Sequence, residues 1–108
     1  MKPKLHKDLT QARWNKLSFF AQMANIGSEF ERAVNWQKKS PKIAGQAVDR
    51  MFELLDLTIN DPKNRRGLKE IVRLREVLAD LLVFDNEYHS DINKTKKYFY
   101  AFNWAARI

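Results

Sequence analysis

No cysteine occurs in this 108-residue chain, and there are only two histidines, three glycines and three prolines. Without Cys there is no disulfide framework and no thiolate zinc site. That fits a reducing compartment, and a cytoplasmic location is expected. The glycines stand alone at 27, 45 and 67, so no Gly-rich loop exists to cradle a phosphate. So few Gly and Pro also disfavour a turn-rich β architecture. No apolar run approaches the ~20 residues of a membrane span. The opening MKPKLHKD has no apolar stretch behind it, so a secretory signal is not expected.

Catalytic and metal-binding patterns are equally scarce. His6 and His89 fall in a tail and a loop, and no Glu-x-x-His pair is present for a bundle di-iron site. No Arg is followed, after four to six intervening residues, by either His, so the Arg–His motif of the HEPN ribonucleases, themselves helical bundles, is missing. No Ser or Thr is set up beside a base as a nucleophile. The reading is therefore a non-enzyme, with no catalytic residue, metal ligand, cofactor or small-molecule substrate.

What the chain does have is apolar mass and positive charge. Apolar residues make up 44%, and a chain of this length buries roughly two-thirds of its unfolded surface. One domain over 1–108 is expected, with a basic tail at about 1–7. The net charge is +7. Residues 1–7 carry Lys2, Lys4 and Lys7 and no acidic residue. Residues 40–61 run the other way, with Asp49, Glu53, Asp56 and Asp61 against Lys42 and Arg50. A basic balance favours polyanion partners, usually nucleic acid; a basic surface that is merely solvated is the alternative.

The apolar spacing predicts four helices. The first runs from Asp8 to about Lys39, with DLTQ as a capping box. One side of it carries Leu17, Phe20, Ala21 and Ala24, and the adjoining side Phe19, Met23, Ile26, Phe30 and Val34. Gly27 within that arc would permit close helix approach. Ser40 and Pro41 open the second helix, which Pro62 ends. The third covers about Arg65 to Val83, with Leu68, Ile71, Val72, Leu78 and Leu82 inward. FDNEYHS is a polar loop, and Ser90 or Asp91 caps the fourth, whose inward face is Tyr98, Phe99, Phe102, Ala105 and Ala106. An all-α, antiparallel up-down-up-down four-helix bundle follows.

From Leu17 onward, LSFFAQMANIGSEFERA, LLDLTINDPKN and LREVLAD resemble stretches carried in this order by small uncharacterised prokaryotic four-helix-bundle proteins. Such bundles include nucleic-acid-binding accessory proteins of diversity-generating retroelements and the bundle proteins of ribosomal intervening sequences. The likeness to these last two is one of shape and charge. It implies a four-helix fold and an accessory role, and it carries over no functional residue.

Three groups of residues could do something. Arg75 falls inside the third helix's apolar arc and Glu31 inside the first's. A buried Arg75–Glu31 pair fixing helix register is expected, with an Arg in a ligand pocket as the other reading. Trp14, Arg32 and Trp36 lie along the first helix's polar strip, as a protein-contact strip or as an ordinary exposed face. On the fourth helix, Lys96, Lys97, Tyr100, Trp104 and Arg107 form a basic-aromatic outer stripe. Rings that stack bases beside cations that meet phosphates suit single strands; a subunit interface is the alternative. Bundle topology would also gather Lys2, Lys4 and Lys7 with Lys63, Arg65, Arg66 and Lys69 at one pole. Lys38, Lys39, Lys42, Lys94, Lys96 and Lys97 would gather at the other. The function expected is binding of RNA or single-stranded DNA within a protein complex, with self-association. The alternative is a protein-interaction module, such as an antitoxin-like partner or assembly subunit.

Overall fold

The computed structural model describes residues 9–107, and among these it is all-helical. Helix α1 spans Gln11–Asn15, α2 Phe19–Trp36, α3 Pro41–Ile59, α4 Leu68–Leu82 and α5 Ile92–Arg107, with a 3-10 segment at Pro62–Gly67 between α3 and α4. The basic tail, Asp8 and His6 lie outside the described residues.

Every start except that of α4, which continues the 3-10 segment from Gly67, is marked by a short polar side chain that takes an otherwise unpaired N–H. Thr10 accepts from the Arg13 amide, Ser18 from Ala21 at 3.1 Å, and Ser40 from Ile43 at 3.4 Å with Pro41 next to it. Asp61 accepts from the Lys63 amide, and Asp91 from Asn93 at 2.7 Å. Asp91 therefore opens α5.

The expected first helix is two helices. The chain breaks at 16–18, where Ser18 is extended and caps α2. Thr10 is the N-cap of α1, and the Gln11 amide donates to Asn15 Oδ1 and to the Leu57 carbonyl. The break turns Trp14 inward. Expected as an interface anchor, Trp14 is instead 2% exposed, and its Nε1–H donates to Thr58 Oγ1 at 2.9 Å.

Trp14 belongs to a buried polar network that ties α1, α2, α3 and the 3-10 segment together. Gln22, placed by periodicity on a polar strip, is wholly buried. It donates to the Trp14 carbonyl at 3.0 Å and to Asp61 Oδ2 at 2.7 Å, and accepts from Asn64 at 2.9 Å. Asn64 also donates to the Thr58 carbonyl. Burial pushes the Asp61 carboxyl up, but hydrogen bonds from Lys63 and Gln22 and the Lys63 charge outweigh it and hold the group below its ordinary value.

The apolar core is built by α2 against α3 and α5, with α4 packed on α3. Met23, Ile26 and Phe30 meet Met51, Leu54, Leu55, Ile71, Leu78 and Phe99 in one cluster. Gly27 lets α5 approach closely: a Cβ there would lie 2.6 Å from Phe99 Cβ. On α2 it is the Met23–Ile26–Phe30 side that is buried, and Phe20 is 47% exposed. Leu68 and Val72, expected inward, are exposed, because α4 presents only a narrow face to α3.

The Arg75–Glu31 pair does not form. Arg75 is partly exposed at the edge of α4, where its Nε donates to Asp56 Oδ1 at 2.9 Å and its guanidinium lies 5.1 Å from the Phe52 ring centre. Glu31 faces α5 instead. Helix α4 packs on α3 rather than α2, so the two residues never share a space.

Candidate nucleic-acid interface

Helix α5 is held on α2 by two ring contacts. Phe99 packs beneath Gly27 with its ring 5.6 Å from Phe30, and Phe102 meets Phe19 edge-on at 5.7 Å. Those anchors set which residues face water. Lys97, Tyr100 and Trp104 are all exposed, Trp104 by 70%. Lys96 is half-buried at the α2 side. The side chain of Arg107 lies outside the described residues. The inward face is narrower than periodicity indicates. Phe99 is buried and Phe102 half-buried, whereas Tyr98 and Ala106 are exposed, since α5 packs mainly on α2. The Tyr98 ring leans on Phe102 at 5.1 Å, and Phe20 stands 6.2 Å from the same ring.

Tyr100 is fixed in place. Its hydroxyl donates to Glu31 Oε1 at 2.9 Å. That bond, and then the Glu31 charge, push the phenol above its ordinary value, so it keeps its proton through the neutral range. Between the two helices runs an open groove lined by Ser28, Glu31, Lys96, Tyr100 and Asn103, with Ala24 and Gly27 along its α2 wall.

The rest of the basic set is dispersed over the surface. Arg65, Arg66 and Lys69 are exposed at the 3-10 segment and the start of α4. Lys63 is exposed too, with its ammonium engaged by neighbouring groups of the fold. Its Nζ donates to the Asn15 carbonyl at 2.8 Å and pairs with Asp61. Lys38, Lys39, Lys42 and Lys94 are exposed. Arg32 and Trp36 are exposed on α2, whereas Trp14 and Gln22 of the expected strip are buried.

The polar loop expected at FDNEYHS lies between α4 and α5 and is ordered by local hydrogen bonds. Asp80 is buried and accepts from the Glu87 and Tyr88 amides, at 2.8 and 3.0 Å. Asn86 and Ser90 exchange hydrogen bonds, and Asn86 and His89 sit at positive φ. The loop presents Phe84 and Tyr88 to solvent. Its signal was present as FDNEYHS, whose Asp, Asn and Ser favour such local bonds.

Among the described residues no group of three His, Asp or Glu side chains could hold a metal ion, and no helix is long and apolar enough to cross a membrane. No family model matches the chain, and neither a curated protein nor a solved structure shows significant similarity to it.

Proposed function

We propose that the chain is a non-enzymatic accessory protein that binds RNA or single-stranded DNA along α5, within a larger protein complex. The observation that carries this is Trp104, 70% exposed one turn beyond Tyr100 at 51%, on a helix whose outer side also bears Lys94 and Lys97. Aromatic rings left this open in a chain with a sufficient core are placed to meet something. Stacking on a base is worth about 1–3 kcal/mol per ring, and adjacent cations meet the phosphates that flank it. Arg107, next along the stripe, would extend that track. Arg65, Arg66 and Lys69 form a second basic surface for the continuing strand. The packing of α5 on α2 through Phe19–Phe102 and Phe30–Phe99 is compatible with the up-down four-helix bundle, which stays part of this proposal.

The rings and the cations should respond differently to mutation. In fluorescence anisotropy with labelled single-stranded RNA and DNA, Lys97→Ala should weaken binding for every sequence and make the salt slope shallower by nearly one contact. Trp104→Ala should lose about 1–3 kcal/mol of affinity and leave the slope largely unchanged. If Trp104→Ala is silent, the rings do not stack bases.

A protein-contact module is the second reading, and a different surface favours it. Phe20 and Tyr98 are exposed on either side of Phe102, an aromatic edge suited to a protein partner or a second copy of the chain. The two readings use different sides of α5 and are compatible within one complex.

A further inference from the structure

From Glu76 to Asn93 the chain carries Glu76, Asp80, Asp85, Glu87 and Asp91 and no Lys or Arg, although its net charge is +7. A surface built from this stretch repels phosphate, so it needs another account. Here the last turns of α4 and the loop after it form an open cleft of about 400 Å³, within the range of about 300–1,000 Å³ usual for ligand sites. Two rings line it, Phe84 at 71% exposure and Tyr88 at 57%. Buried Asp80 spends its carboxylate on the Glu87 and Tyr88 amides, which fixes the loop beneath the rings. Glu76, Asp85 and Glu87 line the same cleft and are exposed, and none of their side chains pairs with another of the described residues. Arg75, also in the lining, is turned towards α3, where it pairs with Asp56 and lies over Phe52. The rings and the cavity mark the place, and the charge selects the occupant. A guanidinium suits both walls: it is flat enough to stack on a ring and donates in pairs to carboxylates. An ammonium is a strongly hydrated point charge without that flat face. An apolar side chain would leave the carboxylates unanswered.

We infer that the cleft at the end of α4 takes an arginine side chain from a basic segment of a protein partner, its guanidinium against Phe84 and Tyr88 and its N–H groups on Glu76, Asp85 or Glu87. The inference stands apart from the nucleic-acid reading, since it uses none of the same residues, and it gives the partner in the larger complex a chemistry. Helix α4 then serves both ligands. Arg65, Arg66 and Lys69 are exposed at and before its start, and the anionic cleft lies at its end.

The test is an amide NMR titration of the full chain at low salt with the end-blocked peptide Gly-Arg-Gly-Arg-Gly and its lysine and citrulline counterparts. The arginine peptide should shift the amides of Phe84, Asp85, Glu87 and Tyr88 and leave those of Tyr100 and Trp104 in place. Citrulline keeps the shape of arginine without its charge and should bind about tenfold or more weakly; lysine should fall between. Phe84→Ala and Tyr88→Ala remove exposed rings, so the thermal melt should hold while arginine-peptide affinity drops about two- to fivefold. Joint replacement Glu76→Gln and Glu87→Gln should weaken binding and flatten its salt dependence. Single-stranded RNA binding should be unchanged in Phe84→Ala and Tyr88→Ala, so the two readings fail separately. No shift at the cleft, equal binding of the citrulline or lysine peptide, or full affinity in both ring variants would overturn the inference. A dimer in light scattering that Phe84→Ala dissolves would put a second copy in the cleft and overturn it as well.

Discussion

Gly27→Ala and Gly45→Ala should change stability in opposite directions. Both glycines lie within helices, α2 and α3, and in both places Ala removes backbone entropy from the unfolded chain. An exposed helix interior gains up to about 1 kcal/mol from that exchange. At Gly45 a new methyl meets nothing within 4 Å, so the gain should appear nearly whole. At Gly27 the methyl would stand 2.6 Å from Phe99 Cβ, 2.8 Å from its Cγ and 2.9 Å from its Cδ1. Carbon atoms pack at about 3.5–4.0 Å, so α5 would have to withdraw by most of an ångström. The nearest atom is a Cβ next to the backbone, which cannot swing aside as a side-chain tip can. A gap of that size forfeits a quarter to a half of each dispersion contact along the seam, including the Phe30–Phe99 and Phe19–Phe102 ring pairs. Overpacking of this kind costs about 1–3 kcal/mol. Net of the propensity gain, Gly27→Ala should be less stable by about 1–2 kcal/mol. Urea denaturation followed by far-ultraviolet circular dichroism would read both variants against the wild type. If Gly27→Ala stabilises as much as Gly45→Ala, α5 does not rest on α2 through this contact.

Other expectations concern the polar groups. Trp14→Phe keeps most of the buried ring but removes the donor to Thr58, and should cost about 1–2 kcal/mol in the same denaturation assay; a neutral result would mean that the hydrogen bond is not made. Asp61 has a depressed carboxyl value when folded, so its contribution is present above the unfolded value of 3.8 and is lost as pH falls through the folded one. The stability difference between wild type and Asp61→Asn should therefore be constant near neutrality and shrink only in acid, whereas a difference that shrinks between neutral and alkaline pH would point to another group. Arg75→Met should cost less than about 1 kcal/mol, because its pair with Asp56 is exposed to solvent, and Arg75→Met and Glu31→Gln should add without coupling in thermal melts; a loss of several kcal/mol from Arg75→Met would restore the buried-pair reading.

Helix-forming segments were legible because apolar spacing and short polar caps act locally. Ser40–Pro41 marks a helix start in any context, and Gly27 in an apolar arc signals close packing. What periodicity could not convey was which of two adjoining apolar sides would find a partner. Phe20 and Phe30 are equally hydrophobic, yet only Phe30 is buried in the core, while Phe20 is left 47% exposed at the edge of α5. The break at 16–18 was hidden for a similar reason. Lys16 and Leu17 are adequate helix formers, and the gain from turning Trp14 towards Thr58 is a tertiary one. Gln22 reads as a surface residue because its partner Asp61 is distant in sequence, and the bond from exposed Lys63 to the Asn15 carbonyl is hidden for the same reason. Arg75 was misjudged because an arc on a helical wheel does not say how far the neighbouring helix covers it. The α5 stripe was easier, since Lys97, Tyr100 and Trp104 oppose Phe99 on any straight helix. The bond from Tyr100 to Glu31 needed the packed structure.

Binding of single-stranded RNA by the wild-type chain across a salt series tests the central claim most directly. If α5 and the exposed basic residues at the start of α4 engage a phosphate backbone, the logarithm of affinity should fall linearly with the logarithm of salt, by about 0.7 per contact. Contacts from Lys96, Lys97 and one or more of Arg65, Arg66 and Lys69 predict a slope near −2 or steeper. An absence of binding at low salt, or an affinity indifferent to salt, would contradict it.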